Sequence, residues 1–150
     1  MNITRPKIEG LLVLEPTVYG DDRGYFFESF NKSRWEELFE TPPEFVQDNE
    51  SLSHKNVLRG LHFQQPPFSQ GKLVRVVRGA VMDVAVDLRS DSSTYGEYFA
   101  VELSAENKKQ FFVPEGFAHG FLTLEDDTIF SYKCTNFCGF GVIVCISILG

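Results

Sequence analysis

Lys72-Leu73-Val74-Arg75-Val76-Val77-Arg78-Gly79-Ala80-Val81-Met82-Asp83-Val84-Ala85-Val86-Asp87-Leu88 reads as two consecutive strands parted by one glycine. Successive side chains in a strand point to opposite faces. Lys72, Val74 and Val76 therefore share one face of the first strand, and Leu73, Arg75 and Val77 the other. If both faces are covered, one of them carries a charge inward. In the second strand Asp83 and Asp87 fall on the face of Val81 and Ala85. A carboxylate there either orients a histidine or pairs with an arginine inside, or it lies on the surface. The pattern leaves both open.

Outward from this stretch the chain keeps the same habit. Leu11–Val18, Gly24–Phe30, Phe45–Asn49, Val57–Phe63, Tyr95–Leu103, Gln110–Val113, Phe117–Leu124 and Thr128–Cys134 are short runs bounded by turn residues. Tyr19-Gly20-Asp21-Asp22-Arg23 reads as a turn. One short helix is expected near residues 32–39, capped by Asn31, with Trp35, Leu38 and Phe39 at helical spacing and Pro42-Pro43 ending it. Many short strands with a single helix predict an all-β fold, an antiparallel sandwich or barrel. No linker or repeat divides residues 1–150, so one domain is expected.

A net charge of −7 argues against nucleic acid as the main partner but leaves room for one phosphate held by a few local cations. Fifteen phenylalanines suit a sheet with a broad interior. Three cysteines, Cys134, Cys138 and Cys145, form no CxxC pair. No secretory signal pattern opens the chain, which points to the cytoplasm. The segment from Cys134 to Gly150 carries no charge, yet it is shorter than the ~20 apolar residues of a membrane span. Val142–Leu149 reads as a buried strand.

Two of the three histidines, His62 and His119, lie inside strand-like runs. An arbitrary strand histidine is more often a hydrogen-bonded core residue than a base. Here Gln47, Asn49, Arg59, Gln64 and Lys72 are also polar residues in or beside strands, which is costly unless they face a polar pocket. A histidine on a rigid strand suits general-base work, and Lys72 supplies a cation for a developing oxyanion. Gly116 and Gly120 around His119 allow close backbone approach. Tyr132 shares a face with Phe130 and Cys134 and is either a proton donor or a packed aromatic. With no His-x-His pair, metal binding is disfavoured.

The motifs Asp22-Arg23-Gly24-Tyr25-Phe26 with Glu28, Gln47-Asp48-Asn49, Leu58-Arg59-Gly60-Leu61-His62-Phe63-Gln64, Gln70-Gly71-Lys72, Asp83–Arg89, Pro114–Phe121 and Tyr132-Lys133-Cys134-Thr135 occur in order. In these the chain resembles the dTDP-4-dehydrorhamnose 3,5-epimerases, from about Ile8 to Phe137. The resemblance implies a cupin-like jelly roll, a homodimer, and no metal or organic cofactor. It implies C3 and C5 epimerisation of a dTDP-linked 4-keto-6-deoxy sugar, in dTDP-rhamnose and cell-surface polysaccharide biosynthesis. By similarity His62 is the base, Lys72 stabilises the enolate oxygen and Tyr132 returns a proton. Arg23, Glu28, Gln47, Asn49, Arg59 and His119 would line the nucleotide and sugar pocket. The chemistry is coherent, because both carbons flank a ketone and an imidazole titrates near ~6.5.

After Phe137 the sequence departs from the family pattern. A tyrosine is replaced by Cys138, and residues 138–150 hold no acidic residue to orient the base. The expectation is an atypical, truncated or frame-shifted end with little activity, exposed apolar edges, and Asp83 as a candidate substitute. The rival readings are a non-catalytic sugar-nucleotide binding module, a related 4-ketohexose isomerase or single-site epimerase, and, more remotely, a metal-dependent cupin oxygenase.

Overall fold

The computed structural model describes residues 1–139 and 143–145. Its strands are β1 (Asn2–Thr4), β2 (Leu12–Glu15), β3 (Tyr19–Asp21), β4 (Gly24–Phe26), β5 (Gln47–Ser53), β6 (Leu58–Gln64), β7 (Lys72–Arg78), β8 (Ala80–Asp87), β9 (Tyr98–Ser104), β10 (Gln110–Val113), β11 (Phe117–Thr123), β12 (Thr128–Cys134) and β13 (Ile143–Cys145). One helix, α1 (Lys32–Glu36), interrupts them. A six-stranded antiparallel sheet, β1-β2-β10-β7-β12-β5, faces a five-stranded one, β13-β6-β11-β8-β9, and β3 and β4 form a separate hairpin. From β5 to β13 the chain passes from one sheet to the other at every step except β8 to β9, as in a jelly roll.

The alternation expected along β7 and β8 is what builds the interior. Val74 and Val76 point between the sheets against Val81, Ala85, Leu103, Phe117 and Phe121. Leu73 points the other way, into a second cluster with Leu12, Leu14, Phe112 and Trp35. Asn31 caps α1 by accepting from the Arg34 backbone N–H, and the helix seats the Trp35 ring 4.9 Å from Phe112. The indole N–H donates to the Pro43 carbonyl at 2.9 Å, so the buried ring has its polar atom satisfied. Both faces of β7 are thus covered, and Lys72 lies on the inner one.

Several limits differ from the sequence reading. The helix is shorter than residues 32–39. The second strand stops at Glu15, the fourth at Phe26, and β5 runs to Ser53 rather than Asn49. Tyr19–Asp21, read as turn, is half of a hairpin whose pairing partner is β4. Pairing is a non-local property, so alternation alone misplaces such ends. Of the expected Val142–Leu149 strand, Ile143–Cys145 forms β13, which pairs with β6 with Cys145 opposite His62. Val142 and residues 146–149 lie outside the described residues. In place of the open barrel edge expected here, β6 therefore has a strand partner at His62–Gln64.

Candidate active site

The site depends on a one-residue irregularity in β6. His62 pairs with His119, yet Arg59, three residues earlier, pairs with Phe121 two residues on. Gly60 and Leu61 together oppose Gly120, which is a β-bulge. In a regular strand residues three apart face opposite sides. The bulge turns both Arg59 and His62 inward. It needs glycine on each side: Gly60 has φ +114°, and a Cβ on Gly120 would lie 2.7 Å from the Arg59 carbonyl oxygen.

The inward side chains enclose a cavity of about 230 Å³ between the sheets. His62, Lys72, His119 and Tyr132 all line it, with Asn49, Ser51, Arg59, Gln64, Gln70, Phe121, Phe130 and Cys138. They come from β5, β6, β7, β11 and β12, and from the loops before β7 and after β12. The expected convergence of the four residues on one cavity is therefore met. Gln47 sits just behind, donating from Nε2 to Asn49 Oδ1 at 2.9 Å. Arg23 and Glu28 are elsewhere in the single chain. Arg23 is on the exposed β3–β4 hairpin, paired with Asp21. Glu28 binds Arg34 at 3.0 Å over the outer face of the six-stranded sheet.

The cavity's polar groups fall into two sets. Arg59 is held by the Ser53 hydroxyl at 2.9 Å and the Leu52 carbonyl. Gln64 donates to the Phe68 carbonyl at 2.6 Å and Gln70 to the Asn136 carbonyl at 2.7 Å. His119 shares a proton through Nε2 with Asp83 Oδ1 at 2.7 Å. By contrast, no hydrogen bond or ion pair among the described residues engages the Lys72 ammonium or the His62 ring. Lys72 Nζ instead stands 5.6 Å from the Tyr132 ring centroid.

Electrostatics match that division. Burial, and then the positive charges of Lys72, His119 and Arg59, hold the His62 pKa below its ordinary value, so the imidazole is a free base at neutral pH. Burial also lowers that of Lys72. Burial raises that of Tyr132, whose phenol stays protonated. Cys134, fully buried behind Lys72, is pushed up to about 11 by burial and stays an inert thiol. The site contains a base, a cation and an acid.

Two features were not legible in the sequence. Asp83 does not reach His62. Its strand β8 lies on the far side of β11 from β6, so the carboxylate meets His119 instead, and the expectation that it might orient His62 is corrected on that ground. The other is a clasp of side-chain amides on the segment after β12. Besides the Gln70 bond, Gln64 Oε1 accepts from Gly139 N at 3.4 Å and Gln47 Oε1 from Cys138 N at 3.2 Å. These bonds bring Cys138 to the rim. The only sequence signal for it was the cluster of glutamines.

The family model for dTDP-4-dehydrorhamnose 3,5-epimerase matches residues 5–141. The chain belongs to the dTDP-4-dehydrorhamnose 3,5-epimerase family. It is 57% identical over 137 residues to the epimerase of Escherichia coli K12, covering 91% of this chain and 74% of that protein. The Legionella pneumophila dTDP-6-deoxy-D-glucose-3,5-epimerase, solved in complex with dTDP-4-keto-L-rhamnose, superposes with a TM-score of 0.94 at 50% identity. That superposition covers 99% of this chain and 78% of the other. A 3'-monoepimerase of Streptomyces bikiniensis in complex with dTDP-quinovose has a TM-score of 0.91 at 32% identity, covering 96% and 73%. Fold class and enzyme class, expected from the resemblance, both hold: an all-β cupin-like jelly roll of an isomerase family.

Proposed function

We propose that this chain epimerises C3 and C5 of dTDP-4-dehydro-6-deoxy-D-glucose, giving dTDP-4-dehydro-L-rhamnose, within a single catalytic domain. His62 removes the proton from each carbon beside the C4 ketone. Lys72 stabilises the enolate oxygen, because a preorganised cation aimed at developing charge lowers that barrier. Tyr132 returns a proton from the opposite ring face. What carries the reading is the set of groups gathered in one cavity: an unprotonated imidazole, a buried ammonium and a protonated phenol.

A cavity of about 230 Å³ is smaller than the ~300–1,000 Å³ of sites that engulf a whole ligand. It suits the hexose ring, with the nucleotide diphosphate across the mouth. Asn49, Arg59 and His119 bind the sugar end in this reading, with Gln47 behind Asn49. Arg23 and Glu28 act from a second subunit of a cytoplasmic homodimer. The observation behind this is the β3–β4 hairpin, which stands out with Tyr19, Tyr25 and Phe26 65%, 62% and 66% exposed. Apolar side chains flanking a charged tip suit a partner's surface better than water.

The test follows the 4-keto-6-deoxyglucose nucleotide by NMR in deuterated water. Deuterium is expected at both C3 and C5, and His62→Ala is expected to lose exchange at both by about 10²–10⁴-fold. Exchange at one carbon alone makes the chain a single-site epimerase. Binding without exchange makes it a sugar-nucleotide binding module.

A further inference from the structure

We infer that Asp83 is a positioning residue of this site: it holds His119 through one carboxylate oxygen and is the buried counter-charge behind Lys72. Asp83 is 0% exposed. Its Oδ1 meets His119 Nε2 at 2.7 Å, while its Oδ2 has no hydrogen-bond partner. A carboxylate half satisfied in the interior is costly, and such a group persists where positive charge surrounds it. His119 and Lys72 line the same narrow recess together with His62, and Asp83 stands directly behind His119.

The charges facing Lys72 come from every neighbouring element. On β6 are His62 and Arg59, on β11 is His119, and all three are neutral or positive. On β12 the Tyr132 phenol is protonated, and Cys134, pushed up to about 11, is an uncharged thiol through the neutral range. Cys138 stands at the rim. No carboxylate lines the cavity among the described residues. Burial lowers the Lys72 pKa, and the groups that oppose it are the two thiols, Cys134 and Cys138, and then Asp83, the one carboxylate among them. Burial raises the Asp83 pKa, and the charge and hydrogen bond of His119, then the Lys72 charge, oppose that rise. Asp83 and Lys72 make no direct contact, so the coupling between them acts through the low-dielectric interior. In sequence the two lie on separate strands with no spacing that links them.

The consequence for catalysis rests on the enolate reading above; the charge coupling itself is read without substrate. The measurement follows the Lys72 ε-carbon by ¹³C NMR against pH in the ligand-free protein, in a Cys138→Ser background so that the rim thiol adds no charge. Asp83→Asn should move the Lys72 midpoint to lower pH, because the ammonium loses its counter-charge. His119→Gln, which leaves Asp83 in place, should hold the midpoint near its starting value. The alkaline limb of deuterium exchange should follow the midpoint down in Asp83→Asn. A purely structural role lowers exchange at every pH and leaves both midpoint and limb where they were, which overturns the proposal. An equal shift in His119→Gln overturns the direct action on Lys72. If Asp83→Asn fails to fold, the parent protein still decides. The Asp83 carboxyl carbon must show a step at the Lys72 midpoint, and a flat trace there sinks the idea. A shifted midpoint in a protein that exchanges no deuterium leaves the coupling standing and removes the enolate function alone.

Discussion

Gly120→Ala tests the bulge on which the site is built. A methyl at Gly120 would lie 2.7 Å from the Arg59 carbonyl oxygen, 3.0 Å from Gly60 Cα and 3.3 Å from Leu61 Cδ2. Two of the three obstacles are backbone, so no side-chain rotation relieves the clash. β6 and β11 have to separate by several tenths of an ångström at the point where His62 and Arg59 are turned inward. Overpacking of this kind costs about 1–3 kcal/mol. For a chain of this size that corresponds to a fall in Tm of about 3–10 °C, measured by thermal or urea unfolding. The activity cost is larger in proportion, because the displaced strand carries the base. A misplacement of about 1 Å reduces rate on the order of 10²-fold, read as deuterium exchange at C3 and C5. Leu122→Ala on the same strand is the control. Its side chain is 40% exposed and points away from the cavity, so stability falls by less and exchange holds. If Gly120→Ala matched that control in both Tm and exchange, the bulge would not be what aims His62, and the account of the site would fail.

Two further outcomes follow from the geometry. Tyr132→Phe keeps the ring beside Lys72 but removes the phenol; product with inverted configuration should fall by about 10²–10⁴-fold, while deuterium still washes in from the His62 face, and equal loss of both would reassign Tyr132 to proton abstraction. Asp87, 0% exposed, accepts from Arg89 Nε at 2.9 Å, Ser92 Oγ at 2.6 Å and Thr94 Oγ1 at 2.7 Å, and the Arg89 guanidinium first, then the hydroxyls, hold its carboxyl well below the usual range. A depressed folded-state pKa stabilises above the unfolded value and is lost as pH falls through the folded one; urea unfolding should therefore weaken below about pH 4, and Asp87→Asn, about 1–3 kcal/mol less stable at pH 7, should show a smaller loss of stability over that acid range.

Much of this protein was legible from local pattern. Short runs bounded by turn residues located the strands Lys72–Arg78, Gln110–Val113 and Thr128–Cys134 to the residue, since turn chemistry is local to the chain. The placement of Asp83 and Asp87 on the face of Val81 and Ala85 came from alternation, and so did the shared inward face of Lys72 and Val74. The ordered motifs around His62, Lys72, His119 and Tyr132 were sufficient for the family. Only tertiary structure decided the rest. Arg59 and His62, three apart, face one cavity because β6 gains a residue against β11, and register is set between strands rather than along one. Asp83 serves His119 and not His62 because β11 lies between their strands. The free imidazole, the buried ammonium and the protonated phenol are products of desolvation and of charges brought from other elements, and no single segment of sequence carries either. Glycine at 60 and 120 was visible from the start, but its necessity appears only where the two backbones meet.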